Sequence, residues 1–353
     1  MPQREAVQRI VGWDIGGAHV KAALFEAGRI TSVTQESSPL WQGIEHLDRA
    51  LETVLQVLPS MATHAVTMTG EMTDLFAHRE AGVAAIVERV CATLGADVNF
   101  FAGRDGWTGA RGARTRWRRI ASANWQASAQ LVATELADAI LVDIGSTTTD
   151  LVPVRGGRVV ARGIDDATRL ACGELVYHGV VRTPVYALAR RIDFRGVTFN
   201  VMNELFATTA DVYRLTGELD SAHDQYPAAD GGDKTLEASA SRLARLIGHD
   251  ARGAPLEAWV SFAHAWRARQ LEVIRASLDE VATSAGLGPH ASIVAAGCGH
   301  FLARELAISM ARGYLPFESL APVDRRCETW ARVCAPSVAL AVLFAKEAPS
   351  CGS

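Results

Sequence analysis

Three short segments combine residue types and spacings that suit phosphate chemistry. In Val11-Gly12-Trp13-Asp14-Ile15-Gly16-Gly17-Ala18-His19-Val20-Lys21 an apolar run ends in an aspartate and turns through two glycines. Such a turn lets backbone N–H groups approach a phosphate closely while the carboxylate reaches a magnesium ion or its waters. A single copy reads equally well as a β-hairpin with glycine in the turn. The segment Leu141-Val142-Asp143-Ile144-Gly145-Ser146-Thr147-Thr148-Thr149-Asp150 repeats the pattern, now followed by hydroxyl residues able to donate to phosphate oxygens. Two similar turns in one chain are hard to explain as unrelated hairpins, and on two similar domains they are expected to face each other across a cleft. The third segment, Ile293-Val294-Ala295-Ala296-Gly297-Cys298-Gly299-His300-Phe301, joins an apolar strand to a helix through glycines. Alone it is an ordinary connection; its place after the second turn makes it informative.

The elements that must position these turns follow from periodicity. Ile10–Asp14, Val20–Glu26 and Arg29–Gln35 read as an antiparallel meander, followed by a helix over Ile44–Leu58 with Leu47, Leu51, Val54 and Leu58 at helical spacing. A strand at Ala65–Thr69, a helix carrying Ile86, Val87 and Val90, and a strand at Val98–Ala102 complete the first half. After an apolar helix at Trp125–Leu136, the strands Ile140–Asp143, Thr148–Val154 and Arg158–Arg162 repeat the meander, an internal duplication at domain scale. The middle of the chain reads as mostly helical: Asn203–Gly217, Leu236–His249 and Pro255–Ala285. Thr329–Ala345 gives a last apolar helix. Ser221–Lys234 and the arginine-rich Asp105–Arg119 read as loops or linkers. The expected division is 1–136, to which 329–353 crosses back, and 137–328 with a helical insertion over about 167–289.

Composition narrows the function classes. At 49% hydrophobic and 21% charged residues the chain is globular, and a net charge of −4 provides no global field toward nucleic acid or anionic membrane. The cluster Arg111, Arg114, Arg116, Arg118 and Arg119, with Trp107 and Trp117, is more simply a solvated face than a polynucleotide groove. Met1–Arg9 is polar and charged, unlike a signal peptide, and no run of apolar residues is long enough for a spanning helix. The cysteines Cys91, Cys172, Cys298, Cys327, Cys334 and Cys351 lack zinc-ligand spacing. The expectation is a reduced, cytoplasmic protein with small-molecule partners, no nucleic acid and no membrane.

The three glycine segments together resemble the phosphate and adenosine loops of the actin, sugar-kinase and heat-shock-chaperone ATPase superfamily. That resemblance implies an α/β protein of two duplicated ribonuclease-H-like domains around a central cleft. A narrower resemblance rests on Thr67-Met68-Thr69-Gly70-Glu71-Met72-Thr73-Asp74-Leu75-Phe76, Ala121-Ser122-Ala123-Asn124-Trp125, Asp143–Asp150, Gly179-Val180-Val181-Arg182-Thr183-Pro184-Val185, Thr208-Thr209-Ala210-Asp211-Val212-Tyr213-Arg214 and Gly232-Asp233-Lys234-Thr235-Leu236-Glu237-Ala238-Ser239. These look like the hydantoinase/oxoprolinase-type proteins of tetrahydromethanopterin-linked one-carbon metabolism, and the likeness runs from residue 12 to about 345. His19 departs from the family pattern, which places a small polar residue after Gly-Gly-Ala; an exposed turn histidine is the simple alternative to a phosphate contact.

The resemblance implies a methanofuran-type transferase that joins an aminomethylfuranyl-methyl diphosphate to a phenolic acceptor, γ-glutamyltyramine or a tyrosine-like amino acid, with release of pyrophosphate. Self-association of the chain is left open. On that reading Asp14, Asp143 and Asp150 stand on the Mg2+ side, and Gly16, Gly17, Gly145, Ser146, Thr147 and Thr148 contact phosphate. Gly297 and Gly299 form the former adenosine turn. Lys21, Arg182 and Lys234 are the cations for the diphosphate, against the plainer reading of Lys21 and Lys234 as surface charges. A phenol titrates near pH 10, so a base would help attack at neutral pH. Glu71, expected on the open side of its strand, is the first candidate, with Asp74 and Asp211 in reserve. The rival readings are an ATP-dependent kinase or a hydantoinase/oxoprolinase-like hydrolase, with ATP as cofactor, and a non-catalytic nucleotide sensor.

Overall fold

The computed structural model describes residues 8–95 and 97–347; Cys351, the last residues of 329–353 and the Met1–Val7 part of the N-terminal segment lie outside them. The chain forms two units. One comprises the chain up to Ala139, Val154–Val160 and the chain from Leu315; the other comprises Ile140–Pro153 and Ala161–Tyr314.

The first unit is built on a six-stranded sheet of order β3-β2-β1-β4-β5-β6. Its strands are β1 (Arg9–Ile15), β2 (His19–Glu26), β3 (Arg29–Ser37), β4 (Thr63–Met68), β5 (Val98–Phe101) and β6 (Trp107–Thr108). β1 runs antiparallel to β2 and parallel to β4, so it lies inside the sheet. Side chains alternate along it: Val11, Trp13 and Ile15 enter one core with Leu47, Leu51 and Val54 of helix Glu45–Leu55 and Val83, Ile86, Val87 and Val90 of helix Arg79–Leu94. Gly12 and Asp14 point to the other face. There the helix Ala335–Glu347, apolar on all sides, packs so closely that a Cβ on Gly12 would lie 2.0 Å from the Ser337 carbonyl oxygen. A helix without a polar face has to be buried, and Ala335 to Leu343 are.

A second sheet is formed by β7 (Ala139–Ile144), β8 (Thr149–Arg155), β9 (Arg158–Val159), β10 (Leu175–Val176), β13 (Ser292–Ala296) and β14 (Tyr314–Pro316) in the order β10-β8-β7-β13-β14, with β9 paired to β8. A separate hairpin, β11 (Arg191–Phe194) with β12 (Val197–Asn200), joins a core made with the helices Thr209–Leu215, Leu236–Arg245 and Leu256–Ser284.

Three sequence expectations are corrected. Asp105–Arg119 is not a linker: β6 and the short helices Ala110–Thr115 and Trp117–Ile120 fold there, burying Ala113 and Ile120 and leaving all five arginines of the cluster exposed. The helix expected over Asn203–Gly217 begins only at Thr209, because the preceding backbone is tied to a neighbouring segment by the Thr209 N–H to Thr183 O bond and the Pro184–Thr208 bridge. The final helix is broken at Cys334 into Glu328–Val333 and Ala335–Glu347, the chain bending by 112°. Pro336, which lacks an N–H, fits the first turn of a new helix and not the interior of an old one. No single helix among the described residues is long and apolar enough to cross a membrane.

The close seating of Gly12 yields a direct test. Gly12→Ala is expected to lower stability by about 1–3 kcal/mol through overpacking, seen as a lower melting temperature. Gly253→Ala, where the added carbon meets open space, serves as the unaffected control.

Candidate active site

The two aspartate-glycine turns share one backbone geometry. In the first, β1 ends at Ile15, and the Gly16 N–H donates to His19 O at 2.9 Å. In the second, β7 ends at Ile144, and the Gly145 N–H donates to Thr148 O at 2.8 Å. The following segment closes on each turn in the same way. Leu40 N–H donates to Gly17 O (3.1 Å), while Val181 and Arg182 N–H donate to Ser146 O (3.0 and 2.8 Å).

Around the first turn, Asp14 is buried and lies opposite Lys21 in the hairpin and Thr67 in β4. Lys21 Nζ stands 3.9 Å from Asp14 Oδ2, so this lysine belongs to the turn and is not a surface charge. Thr67 Oγ1 is buried with no hydrogen-bond partner among the described residues. Gly17 packs on Thr73, and Gly70 packs on Gly16, where an added Cβ would meet the Gly16 oxygen at 3.1 Å. His19 is buried, so the alternative of an exposed turn histidine does not hold.

Glu71 is the main departure in this unit. It was expected on the open side of β4; instead the short turn Gly70–Met72 tucks it inward, leaving 1% of it exposed. The cause is Gly82 in helix Arg79–Leu94, where a Cβ would fall 2.5 Å from Glu71 O and 2.9 Å from Glu71 Cβ. Glu71 Oε1 accepts from Ser122 Oγ at 2.9 Å. Ser122 is held at φ +49°, a strained conformation for a residue with a side chain. Its motif was visible in the sequence, but its bond to Glu71 was not. Asp74 is exposed.

In the second unit, Asp143, Gly145, Ser146, Thr147 and Thr148 are half-buried. Gly297, at φ +81°, sits where a Cβ would be 2.2 Å from Ile144 O and 2.6 Å from Asp143 Oδ1. Gly299 donates its N–H to Ile144 O at 2.8 Å. The structure thus brings the third glycine segment directly onto the second turn. Gly179 closes the other side: its added Cβ would lie 2.3 Å from Thr147 N and 2.4 Å from Ser146 C. Gly179 is fixed by Thr183 Oγ1, which accepts its N–H, and by Gln270, whose Nε2 donates to its carbonyl at 2.9 Å. Gln270 is fully buried on the long helix and takes a bond from Tyr213 OH. Sequence reading missed Gln270, since a lone glutamine in a helix carries no local signal. Beside Gly179, burial holds the His178 imidazole below its ordinary pKa, favouring its neutral form.

Asp150, Lys234 and Asp211 do not stand where they were expected. Asp150 Oδ1 accepts from the buried Arg169 guanidinium at 2.7 Å, so its charge is compensated within the fold. Lys234 bonds to Asp224, at 2.6 Å to its carbonyl and 3.2 Å to its carboxylate. Asp211 is buried under Arg214, Arg242 and Ser239 and is no solvent-facing base. Arg182 stays at the second turn through its backbone bond to Ser146. Among the described residues no three His, Cys, Asp or Glu side chains gather as a metal-holding group.

The hydantoinase/oxoprolinase family model matches residues 62–316 of this chain. The chain belongs to the hydantoinase/oxoprolinase family. It is 30% identical over 297 residues to (4-{4-[2-(γ-L-glutamylamino)ethyl]phenoxymethyl}furan-2-yl)methanamine synthase of Methanocaldococcus jannaschii, covering 84% of this chain and 88% of that protein. The protein of the same name from Methanococcus vannielii is 28% identical over 166 residues, covering 47% of this chain and 73% of its own length. Among solved structures, nucleotide-free acetone carboxylase overlays with a TM-score of 0.55 at 11% identity, covering 87% of this chain and 67% of that one. That overlay supports an α/β fold built on two mixed sheets, and this family member shares it with acetone carboxylase.

Because Gly179 touches backbone and not a flexible side chain, Gly179→Ala is expected to displace the Ser146–Thr147 turn. The expected result is a melting temperature lowered by an amount corresponding to about 1–3 kcal/mol.

Proposed function

We propose that this chain is a C–O bond-forming transferase of methanofuran-type cofactor biosynthesis. It would join an aminomethylfuranyl-methyl diphosphate to the phenolic oxygen of γ-glutamyltyramine or a tyrosine-like acceptor and release pyrophosphate. The observation that carries this reading is the 30% identity to the methanamine synthase, which extends over 84% of this chain and 88% of that protein. The name of that relative describes a phenoxymethyl-furan, the ether such a reaction forms. The substrates are small molecules, and the reading places the enzyme in the cytoplasm, in a pathway of tetrahydromethanopterin-linked one-carbon metabolism.

The residues at the second turn suit a diphosphate. Ser146, Thr147 and Thr148 offer hydroxyl donors, the turn offers N–H groups, and Arg182 offers a guanidinium on the adjoining segment. An oxygen donor set headed by Asp143 also fits Mg2+, a hard cation that keeps several waters and is often held by one or two carboxylates plus substrate phosphates. That requirement is compatible with the absence of a three-ligand cluster among the described residues. When bound, magnesium would neutralise charge on the departing diphosphate.

The burial of Glu71 bears on the order of events. A carboxylate 1% exposed and bonded to Ser122 is poorly placed to meet an incoming phenol. The carbon losing diphosphate adjoins an electron-rich furan ring, which stabilises positive charge as the carbon–oxygen bond breaks. We therefore infer that departure of diphosphate runs ahead of phenol attack, the phenol proton passing to water. Rate then depends chiefly on the groups that receive the diphosphate.

The reading is tested by incubating the protein with the furan diphosphate and candidate phenols and following ether and pyrophosphate by mass spectrometry. ATP consumption without ether formation would assign the chain to the kinase or hydrolase class instead. Asp143→Asn is expected to depress turnover and shift its magnesium dependence. Glu71→Gln is expected to retain turnover within about 10-fold from about pH 6 to about pH 9, less than the ~10²–10⁴-fold contributed by a general base. A larger loss restores Glu71 as the base.

A further inference from the structure

The segment after Leu219 is polar and rich in aspartate and glycine, with little apolar surface to hold it down, yet it is tied to the second unit by ions. Asp224 receives Arg214 Nη2 at 2.6 Å and Lys234 Nζ at 3.2 Å, and its side chain is only 7% exposed. Farther along, Asp230 receives Arg242 Nε at 2.8 Å, and Asp233 O receives Arg242 Nη2 at 2.5 Å. Arg242 is itself buried and anchored to Asp211 by a 2.9 Å bond. Lifting this segment would strand buried charges, so it lies down as a strap.

What the strap carries is Tyr226. The Arg182 guanidinium carbon lies 5.7 Å from the centroid of the Tyr226 ring, within range for attraction between a cation and an aromatic face. Arg182 is the residue whose backbone N–H closes on Ser146 of the second turn. An arginine side chain has many rotamers, and one fixed before an anion arrives loses less freedom on binding it. We propose that Tyr226 is a positioning residue that holds the Arg182 guanidinium ready for the diphosphate, with the Asp224 and Asp230 ion pairs fixing Tyr226. The inference rests on the reading that the second turn receives a diphosphate, and it adds a residue outside the glycine segments to that site.

The test is calorimetry of inorganic pyrophosphate, with magnesium, on the full chain carrying Tyr226→Phe, Tyr226→Leu, Arg182→Ala and the Arg182→Ala/Tyr226→Leu pair. Phenylalanine keeps the aromatic face and is expected to rescue binding to within about 2-fold of wild type, whereas leucine keeps bulk without that face and is expected to weaken it roughly 3- to 30-fold. In the Arg182→Ala background Tyr226→Leu is expected to have no further effect, a coupling that general loosening of the fold does not produce. Melting temperatures close to wild type for Tyr226→Phe and Tyr226→Leu complete the expected pattern. The inference is overturned if Tyr226→Leu binds pyrophosphate like wild type, if phenylalanine is as weak as leucine, if the two sites act independently, or if wild type binds no pyrophosphate. Ether formation, measured separately, reports on the synthase reading: tyrosine-dependent pyrophosphate binding without ether sinks that reading and leaves Tyr226 in its place.

Discussion

At the end of β7 three stretches of main chain meet without side chains between them. Gly299 N–H bonds to Ile144 O, Gly297 lies against the same carbonyl, and Gly179 lies against Ser146 and Thr147. At the end of β1, Gly70 lies against Gly16. A single methyl group at Gly297 or Gly179 would fall 2.2–2.3 Å from backbone atoms, which have no rotamer by which to move aside. The turns are consequently defined by contacts that fit in one arrangement, and interiors packed at this density resist displacement. A phosphate site assembled from main-chain groups depends on such rigidity, because misplacement of about 1 Å can forfeit much of the gain from orientation.

How far the sequence revealed this depends on the distance over which each signal acts. Asp-Ile-Gly after an apolar strand is a local pattern, and Asp14–Gly16 and Asp143–Gly145 form the turns it suggests. The sheets were legible for the same reason, since strand alternation and the repeated meander are local signals. Glu71 was misplaced because its burial is decided by Gly82 in the next helix, whose lack of a side chain makes room for it. Asp150 was misread because Arg169, its partner, lies on a helix that no pattern connected with β8. Gln270 escaped notice altogether: its role exists only once a long helix is laid beside Gly179.

The charged residues divide accordingly. Asp211 and Lys234, together with Ser239 and the Asp233 carbonyl, occur in segments that carry the family resemblance, yet their bonds join one part of the second unit to another. Removing one member of a buried charge pair typically costs about 3–5 kcal/mol, because its partner is left desolvated. Several positions within the resembling segments thus hold a segment in place.

The duplicated turns also differ in a way their shared backbone makes easy to see. Lys21 follows Asp14 by the same interval at which Asp150 follows Asp143, and in the first copy register sets Asp14 and Lys21 opposite each other. The second copy thus has a carboxylate where the first has an ammonium. Like charges facing one another across a hairpin repel, and the buried Arg169 on Asp150 offsets that cost from outside the hairpin. In the first turn the aspartate is matched within the hairpin by a cation; in the second the cation, Arg169, comes from a helix outside the hairpin and pairs with Asp150. On the proposed reading this assigns different work to equal geometries. The first turn, with its Asp14–Lys21 pair, accepts a ligand with little change in charge, whereas the second, with Asp143, its hydroxyls and Arg182, is the better place for a hydrated cation and the phosphates it bridges.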